Sequence, residues 1–239
     1  MQSDKADFFV FGATSEIVQK LFVDERPWFA ENIRRLILVQ RSSDVAEAYK
    51  GFDHVVLQAD VRDARTFRGQ LGEIVGAHAT KERQMHVLPT YGSFNFRDGK
   101  KPHFVFTDDG FQINLNCRLQ IVDAFKEFHG NTTFHLFGSL LGSFPYAGDY
   151  ATSMWYVNQL PTHPEYAHLD LRVYNLGGMK TRFWDHKSGA ADNPFVHPDV
   201  PTAWLRERIA GSARGIFDNF PTLTARVGCT LGRSGVRML

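Results

Sequence analysis

Four places along the chain hold residue types from which a chemical site could be built. Gly12-Ala13-Thr14-Ser15 closes an apolar run and opens a stretch of helical spacing. Small residues at such a turn let the backbone approach a phosphate, while the helix start offers amide donors and the positive end of its dipole. Arg41-Ser42-Ser43 joins a guanidinium to two hydroxyls. Its planar fork matches phosphate oxygens; a solvated loop arginine is the plain alternative. Asp60, in Ala59-Asp60-Val61-Arg62-Asp63, is an acceptor beyond another apolar run, with capping of the next helix as its alternative use. Tyr150 offers a phenol. A free tyrosine has a pKa of about 10, so only about one in a thousand is ionised at neutral pH, and the group serves more readily as an acid than as a base. The ten histidines show no ligand spacing, and the two cysteines, Cys117 and Cys229, lie far apart. Neither a metal centre nor a disulfide framework is expected.

The elements that must carry these residues alternate between strands and helices. Phe8-Phe9-Val10-Phe11 is continuously apolar, as a strand covered on both faces should be. Similar short runs are Leu36-Ile37-Leu38-Val39, His54-Val55-Val56-Leu57, Met85-His86-Val87-Leu88, Thr133-Phe134-His135-Leu136-Phe137 and Leu171-Arg172-Val173-Tyr174. Ile17, Leu21 and Phe22 mark a helix after the first run; Ile113, Leu119, Val122 and Phe125 mark another over residues 111–128. His86 and His135 fall on strands and read as ordinary buried or edge residues. Such alternation implies right-handed crossovers and a parallel sheet with helices on both faces. In an open parallel sheet the ligand lies beyond the carboxyl ends of the strands.

Composition narrows the class. The chain has 239 residues, 43% hydrophobic, 22% charged and 13% aromatic, with 27 Lys and Arg against 26 Asp and Glu. A net charge of +1 argues against a nucleic-acid-coating protein. No apolar run approaches the ~18 residues of a membrane span, and the polar lead MQSDKAD does not resemble a signal peptide. A cytoplasmic location follows as the expectation.

Taken in order, these segments resemble the short-chain dehydrogenase/reductase family. Gly12, Ala13, Thr14, Ser15 and Ile17 match its first turn, although Phe11 replaces a threonine and Glu16 and Val18 stand in for two glycines. The resemblance assigns Gly12, Thr14, Ser15 and Ile17 to the coenzyme. Arg41 and Ser42 would meet a 2′-phosphate, favouring NADP over NAD. Asp60 would accept from the adenine amino group, with Val61 packed on the ring. Of the family's segment after the fourth strand only Gly92 remains. Asn175-Leu176-Gly177-Gly178-Met179-Lys180-Thr181 resembles a later motif in which Thr181 contacts the coenzyme.

The resemblance also supplies catalytic roles: Tyr150 to transfer the proton, Ser139 to orient the reacting oxygen and Asn114 to hold a water relay. Asn116 and Ser143 are less favoured alternatives. Tyr150-Ala151-Thr152-Ser153-Met154 lies over the family's Y-x-x-S-K motif with the lysine replaced by Met154. Methionine can neither favour a phenolate nor bind ribose hydroxyls. A reductase, which uses the phenol as an acid, suffers less from this loss than an alcohol oxidase. Lys180 or Lys187 is a remote substitute.

Residues 182–203, with Pro194, Pro198, Pro201 and scattered aromatics, read as a substrate lid. Phe183, Trp184, Phe195 and Trp204 would either line a pocket or pack on the body. The expectation is an α/β protein with a Rossmann-type doubly wound parallel sheet in three layers, as one domain over residues 1–239. Its nucleotide half covers about residues 1–110 and its catalytic half about 111–239. The implied activity is NADP-dependent reduction of a small-molecule carbonyl. A fold that kept nucleotide binding or turned to isomerisation or cyclisation without redox turnover is the alternative. No nucleic-acid or membrane partner is expected. The resemblance implies a homodimer or homotetramer formed through the helices carrying Asn114 and Tyr150.

Overall fold

The computed structural model describes residues 5–92, 106–146, 148–179, 196–197 and 199–220. All six apolar runs are strands: β1 (Ala6–Phe11), β2 (Ile33–Gln40), β3 (His54–Gln58), β4 (Met85–Pro89), β5 (Thr132–Ser139) and β6 (Asp170–Leu176). A short pair follows, β7 (Gly178–Met179) with β8 (Val196–His197), and then β9 (Gly215–Asn219). The main sheet is wholly parallel, in the order β3-β2-β1-β4-β5-β6-β9. The chain leaves β1 toward β2 on one side and returns as β4 on the other, which opens a crevice at the carboxyl end of β1.

The helices are α1 (Glu16–Asp24), α2 (Arg26–Asn32), α3 (Ala64–His78), α4 (Asp108–Phe111), α5 (Cys117–Phe125), α6 (Gly148–Gln159) and α7 (Thr202–Ala210). Side chains alternate across β1 and β2. Phe8, Val10, Leu36 and Leu38 meet α1, α2 and α7, while Phe9, Phe11, Ile37 and Val39 meet α3, α5 and α6. Both faces are therefore apolar, and the run in β1 is unbroken for that reason. Each large side chain so buried contributes roughly 1.5–3 kcal/mol. The architecture is a three-layer, Rossmann-type α/β/α domain.

Local chemistry sets the boundaries. Pro27 stands in the first turn of α2, where its missing N–H removes no helix bond. Phe29 of that helix stacks on Phe22 of α1 with ring centroids 4.1 Å apart. Asp63 caps α3, accepting from the Arg65 and Thr66 amides at 3.1 Å each. The cap is thus Asp63, and Asp60 does not serve as one. Asp7 is buried within β1 and paired with Arg34 at 2.5 Å.

The histidines on β4 and β5 are interior groups. His86 Nδ1 lies 2.8 Å from His135 Nε2, and His135 Nδ1 lies 2.6 Å from the Tyr174 hydroxyl on β6. Phe8 stacks on His86.

Candidate active site

At the end of β1 the chain turns through Gly12 at φ +84°, a conformation that glycine adopts without strain. A Cβ there would come within 2.9 Å of both Thr90 Oγ1 and the Tyr91 ring. The Thr90 hydroxyl donates to the Phe11 and Gly12 carbonyls at 2.8 Å, tying the ends of β1 and β4 together. Thr14 is exposed at the turn, Ser15 precedes α1 without a side-chain cap, and Ile17 packs against the α1 face of the core. Val18 is fully buried in that core. The residue replacing a family glycine therefore faces the protein interior.

Beside this turn lies a cleft of about 550 Å³ lined by Thr14, Arg41, Ser42, Gln58, Asp60 and Arg62, among others. The loop bearing Arg41 is shaped by the buried Gln40, whose amide donates to the Ser42 and Asp44 carbonyls at 2.9 and 2.7 Å. Asp60 is gripped by Arg62, which donates to it from Nε at 2.9 Å, from Nη2 and from its backbone amide at 3.1 Å. This pairing holds the Asp60 carboxyl down at about 2. Val61 is buried with the α3 cluster, and its carbonyl accepts from Gln112 Nε2 at 2.9 Å.

The expected helix over 111–128 is not uniform. Between α4 and α5 the backbone widens into a π-turn at Gln112–Asn116, closed by the Cys117 amide on the Gln112 carbonyl. The Ile113 carbonyl thereby loses the Cys117 amide as its usual helical donor, and side chains bond the carbonyls that follow. Cys117 Sγ bonds the Ile113 carbonyl at 2.8 Å, and Arg118 Nη1 bonds the Asn114 carbonyl. Asn114 is fully buried, whereas Asn116 is exposed. Asp149, the residue before Tyr150, accepts from the Thr107 amide and hydroxyl at 3.1 and 2.6 Å. Thr107 in turn caps α4 through the Gly110 amide. These bonds lock the start of α6, and with it Tyr150, to the start of α4.

The Tyr150 phenol is hydrogen-bonded to the Ser139 hydroxyl at the carboxyl end of β5. Ser139 Oγ also accepts from the Leu141 amide at 3.2 Å. Gly92 lies against the phenol, its missing Cβ 4.0 Å from the Tyr150 ring. Burial raises the Tyr150 pKa above its ordinary value; Arg118 and then the Ser139 bond oppose that rise. The phenol therefore carries its proton at neutral pH. Ser143 is buried away from such a bond, at 1% exposure.

Arg118 had no place in the sequence reading. Its guanidinium is buried against Met154, Nη1 to Sδ 3.7 Å, and Nη2 donates to the Tyr91 carbonyl. The signal was present: Asn114, Arg118, Ile121, Val122 and Phe125 follow one buried face, and a cation in such a stripe is out of place. Tyr91 was also missed; its ring packs on Gly12 and lies edge-on to Phe67 at 6.4 Å. Trp204 packs on the body, edge-on to Tyr174 and beneath Arg208. Thr181, Lys180, Lys187, Phe183, Trp184 and Phe195 lie outside the described residues. Among the described residues no group of three metal-ligating side chains comes together, and no helix is long and apolar enough to cross a membrane.

No family model matches the sequence, and no curated protein matches it. Solved structures do. A short-chain dehydrogenase from Burkholderia cenocepacia in complex with NADP is similar at 13% identity over 100% of both chains, with a TM-score of 0.67. A short-chain dehydrogenase from Sphingobium yanoikuyae in complex with NADPH is 18% identical over 97% of this chain and 94% of that one, at 0.65. An alcohol dehydrogenase from Thermococcus sibiricus complexed with 5-hydroxy-NADP is 16% identical over 91% and 97%, at 0.66. At these identities the likeness is one of architecture: the chain has the fold of the short-chain dehydrogenase/reductase family.

Proposed function

We propose that the chain is an NADP(H)-dependent oxidoreductase that reduces a carbonyl of a small-molecule substrate to an alcohol. The observation that carries this reading is the protonated Tyr150 phenol, hydrogen-bonded to Ser139 at the carboxyl end of the sheet. When bound, the coenzyme supplies a hydride to the carbonyl carbon. Tyr150 gives its proton to the carbonyl oxygen and is left as a phenolate, which water reprotonates. Ser139 holds the same oxygen in line, and Asn114, buried in the π-turn, holds the water relay.

The nucleotide end suits the coenzyme. The cleft by Thr14 is large enough for one end of a dinucleotide, and Arg41 with Ser42 offers donors to a 2′-phosphate that NAD lacks. Gly12, Thr14, Ser15 and Ile17 take the pyrophosphate side, Asp60 and Val61 the adenine side, and Gly92 and Thr181 the nicotinamide side. The alcohol dehydrogenase and the two short-chain dehydrogenases named above were crystallised with NADP-type coenzymes, which supports the choice. Self-association through the helices bearing Asn114 and Tyr150 belongs to the same reading; Trp155 and Tyr156 are exposed on α6.

One arrangement favours a second reading, a nucleotide-binding protein without redox turnover. The Tyr91 ring lies on Gly12, and Asp60 is already engaged by Arg62. Titration of NADPH and NADH by nicotinamide fluorescence, followed by turnover on a panel of aldehydes and ketones, separates the two. The reductase binds NADPH more tightly than NADH and turns over, and Tyr150→Phe lowers kcat by about 100-fold or more while coenzyme affinity holds. Binding without turnover favours the second reading. Failure to bind either coenzyme removes both.

A further inference from the structure

A fully buried guanidinium normally meets a carboxylate, because a cation without a counter-charge is expensive to desolvate. Arg118 is 2% exposed, and among the described residues no carboxylate forms an ion pair with it. Its donors reach the Asn114 carbonyl and the Tyr91 carbonyl, Nη1 lies 3.7 Å from Met154 Sδ, and Nε has no partner. All these partners are neutral. The acids that face the guanidinium are Cys117 and Tyr150. Cys117 is bonded to the Ile113 carbonyl, and burial pushes its thiol up to about 12, so it carries no charge. Tyr91 is likewise held neutral by burial. Met154 follows Tyr150 by one turn of α6, and Gly92, next to the Tyr91 carbonyl that Nη2 meets, lies against the Tyr150 ring, so that Arg118 from α5 and Ser139 from β5 are the groups acting on Tyr150.

We infer that Arg118 is the positioning residue of the proton donor: held by the π-turn against Met154, its guanidinium supplies the positive charge that faces the Tyr150 oxygen. The inference rests on the reading of Tyr150 as the acid of a carbonyl reduction. In that step the O–H bond of Tyr150 breaks, its proton goes to the substrate oxygen, and its electron pair stays on the phenolate. The hydride meanwhile forms the new C–H bond and the coenzyme is oxidised. Arg118 stabilises the phenolate until water returns a proton. The charge sits on α5 and reaches across to α6, where the soft thioether of Met154 accepts weakly from Nη1 and fills the space beside the guanidinium.

A fluorinated tyrosine at position 150, whose phenol ionises nearer neutral pH, reports this charge by its absorbance titration. In Arg118→Gln, which keeps an amide donor for the Asn114 carbonyl, the midpoint is expected to rise by about one to three pH units. Arg118→Lys should leave it near the parent value. Adding Met154→Lys to Arg118→Gln should bring it back down, which a purely structural role of Arg118 would not do. An unchanged midpoint in folded Arg118→Gln, or no recovery on adding Met154→Lys, overturns the inference. If Arg118→Gln does not fold, the parent chain decides. The fluorinated residue placed at 150 must titrate below the same residue placed at 49, where burial and a hydrogen bond to the Ala13 carbonyl hold the proton and no charge opposes them. Titration at or above it overturns the inference. No turnover is read, so a chain inactive toward carbonyls leaves this test intact, and a failed titration leaves the coenzyme assay intact.

Discussion

Acidification should loosen this protein through two histidines that take no part in the chemistry. His86 and His135 are stacked and hydrogen-bonded inside the sheet, with Tyr174 as the outer partner. Burial, aided by Arg172, lowers His86 from 6.5 to about 4; burial and then His86 itself push His135 well below 6.5. Both are neutral in the folded chain, whereas the unfolded chain protonates them near 6.5. Their contribution to stability is therefore complete above the unfolded value and is lost as pH falls through the window toward the folded one. Between about pH 7.5 and about pH 5 the unfolded chain gains nearly two protons that the folded chain refuses, about 2 kcal/mol for each histidine and about 4 kcal/mol together. With a urea slope of about 2–3 kcal/mol/M, the unfolding midpoint should drop by roughly 1.3–2 M. His78 is shifted in the same direction by partial burial and adds a smaller amount. Urea unfolding followed by circular dichroism at both pH values measures the change. His86→Gln with His135→Gln removes both titrations while keeping polar atoms for Tyr174, and should flatten most of the slope. A parent slope below about 1 kcal/mol over this window, or an unchanged slope in the double variant, refutes the reasoning.

Two further outcomes follow from particular contacts. Gly110→Ala puts a methyl 1.9 Å from Asp149 Oδ2 and 2.8 Å from Thr107 Oγ1, so it should break the tie between α4 and α6. A loss of about 2 kcal/mol or more is expected, whereas Gly69→Ala, on the open face of α3, should gain up to ~1 kcal/mol; equal thermal midpoints for the two variants would contradict the packing argument. Arg41→Met should weaken NADPH binding by about tenfold or more and leave NADH nearly unchanged, and a fluorescence titration showing equal loss for both coenzymes would remove Arg41 from the 2′-phosphate.

The sheet was legible because its strands are covered on both faces: β1 and β2 could be read from unbroken apolar runs. Strand β9 was not, since Gly215-Ile216-Phe217-Asp218-Asn219 is half exposed at the edge of the sheet and carries polar residues at its end. Helix α2 is seven residues long and has too few turns to show a period. The connection from β2 to β3, residues 41–53, holds a single three-residue helical turn, Glu47–Tyr49, where strand–helix alternation leads one to expect a longer helix. The π-turn leaves no mark in the sequence, because it is a matter of which carbonyls are left over and which side chains answer them. Ser139 and Tyr150 were found by their order along the chain. Arg118 was overlooked because a lysine was sought at its usual place along the chain, while the charge approaches from another helix.

That route changes what Met154 implies. Read alone, the methionine removes the cation and leaves a phenol fit only to donate. In the fold two influences oppose each other at the same oxygen: burial holds the proton on Tyr150, and Arg118 with Ser139 favours releasing it. Burial prevails in the resting site, so the group remains an acid at neutral pH, as reduction requires. The phenolate formed when the proton leaves is nonetheless not alone, since a guanidinium and a hydroxyl already face it. Methionine at position 154 therefore does not by itself disable the oxidative direction. Met154→Lys by itself would set an ammonium against Arg118 in a site with no carboxylate among the described residues to balance the pair, and like charges in a dry site drive one of them to shed its proton. A second cation at 154 has work to do only when the first has been removed.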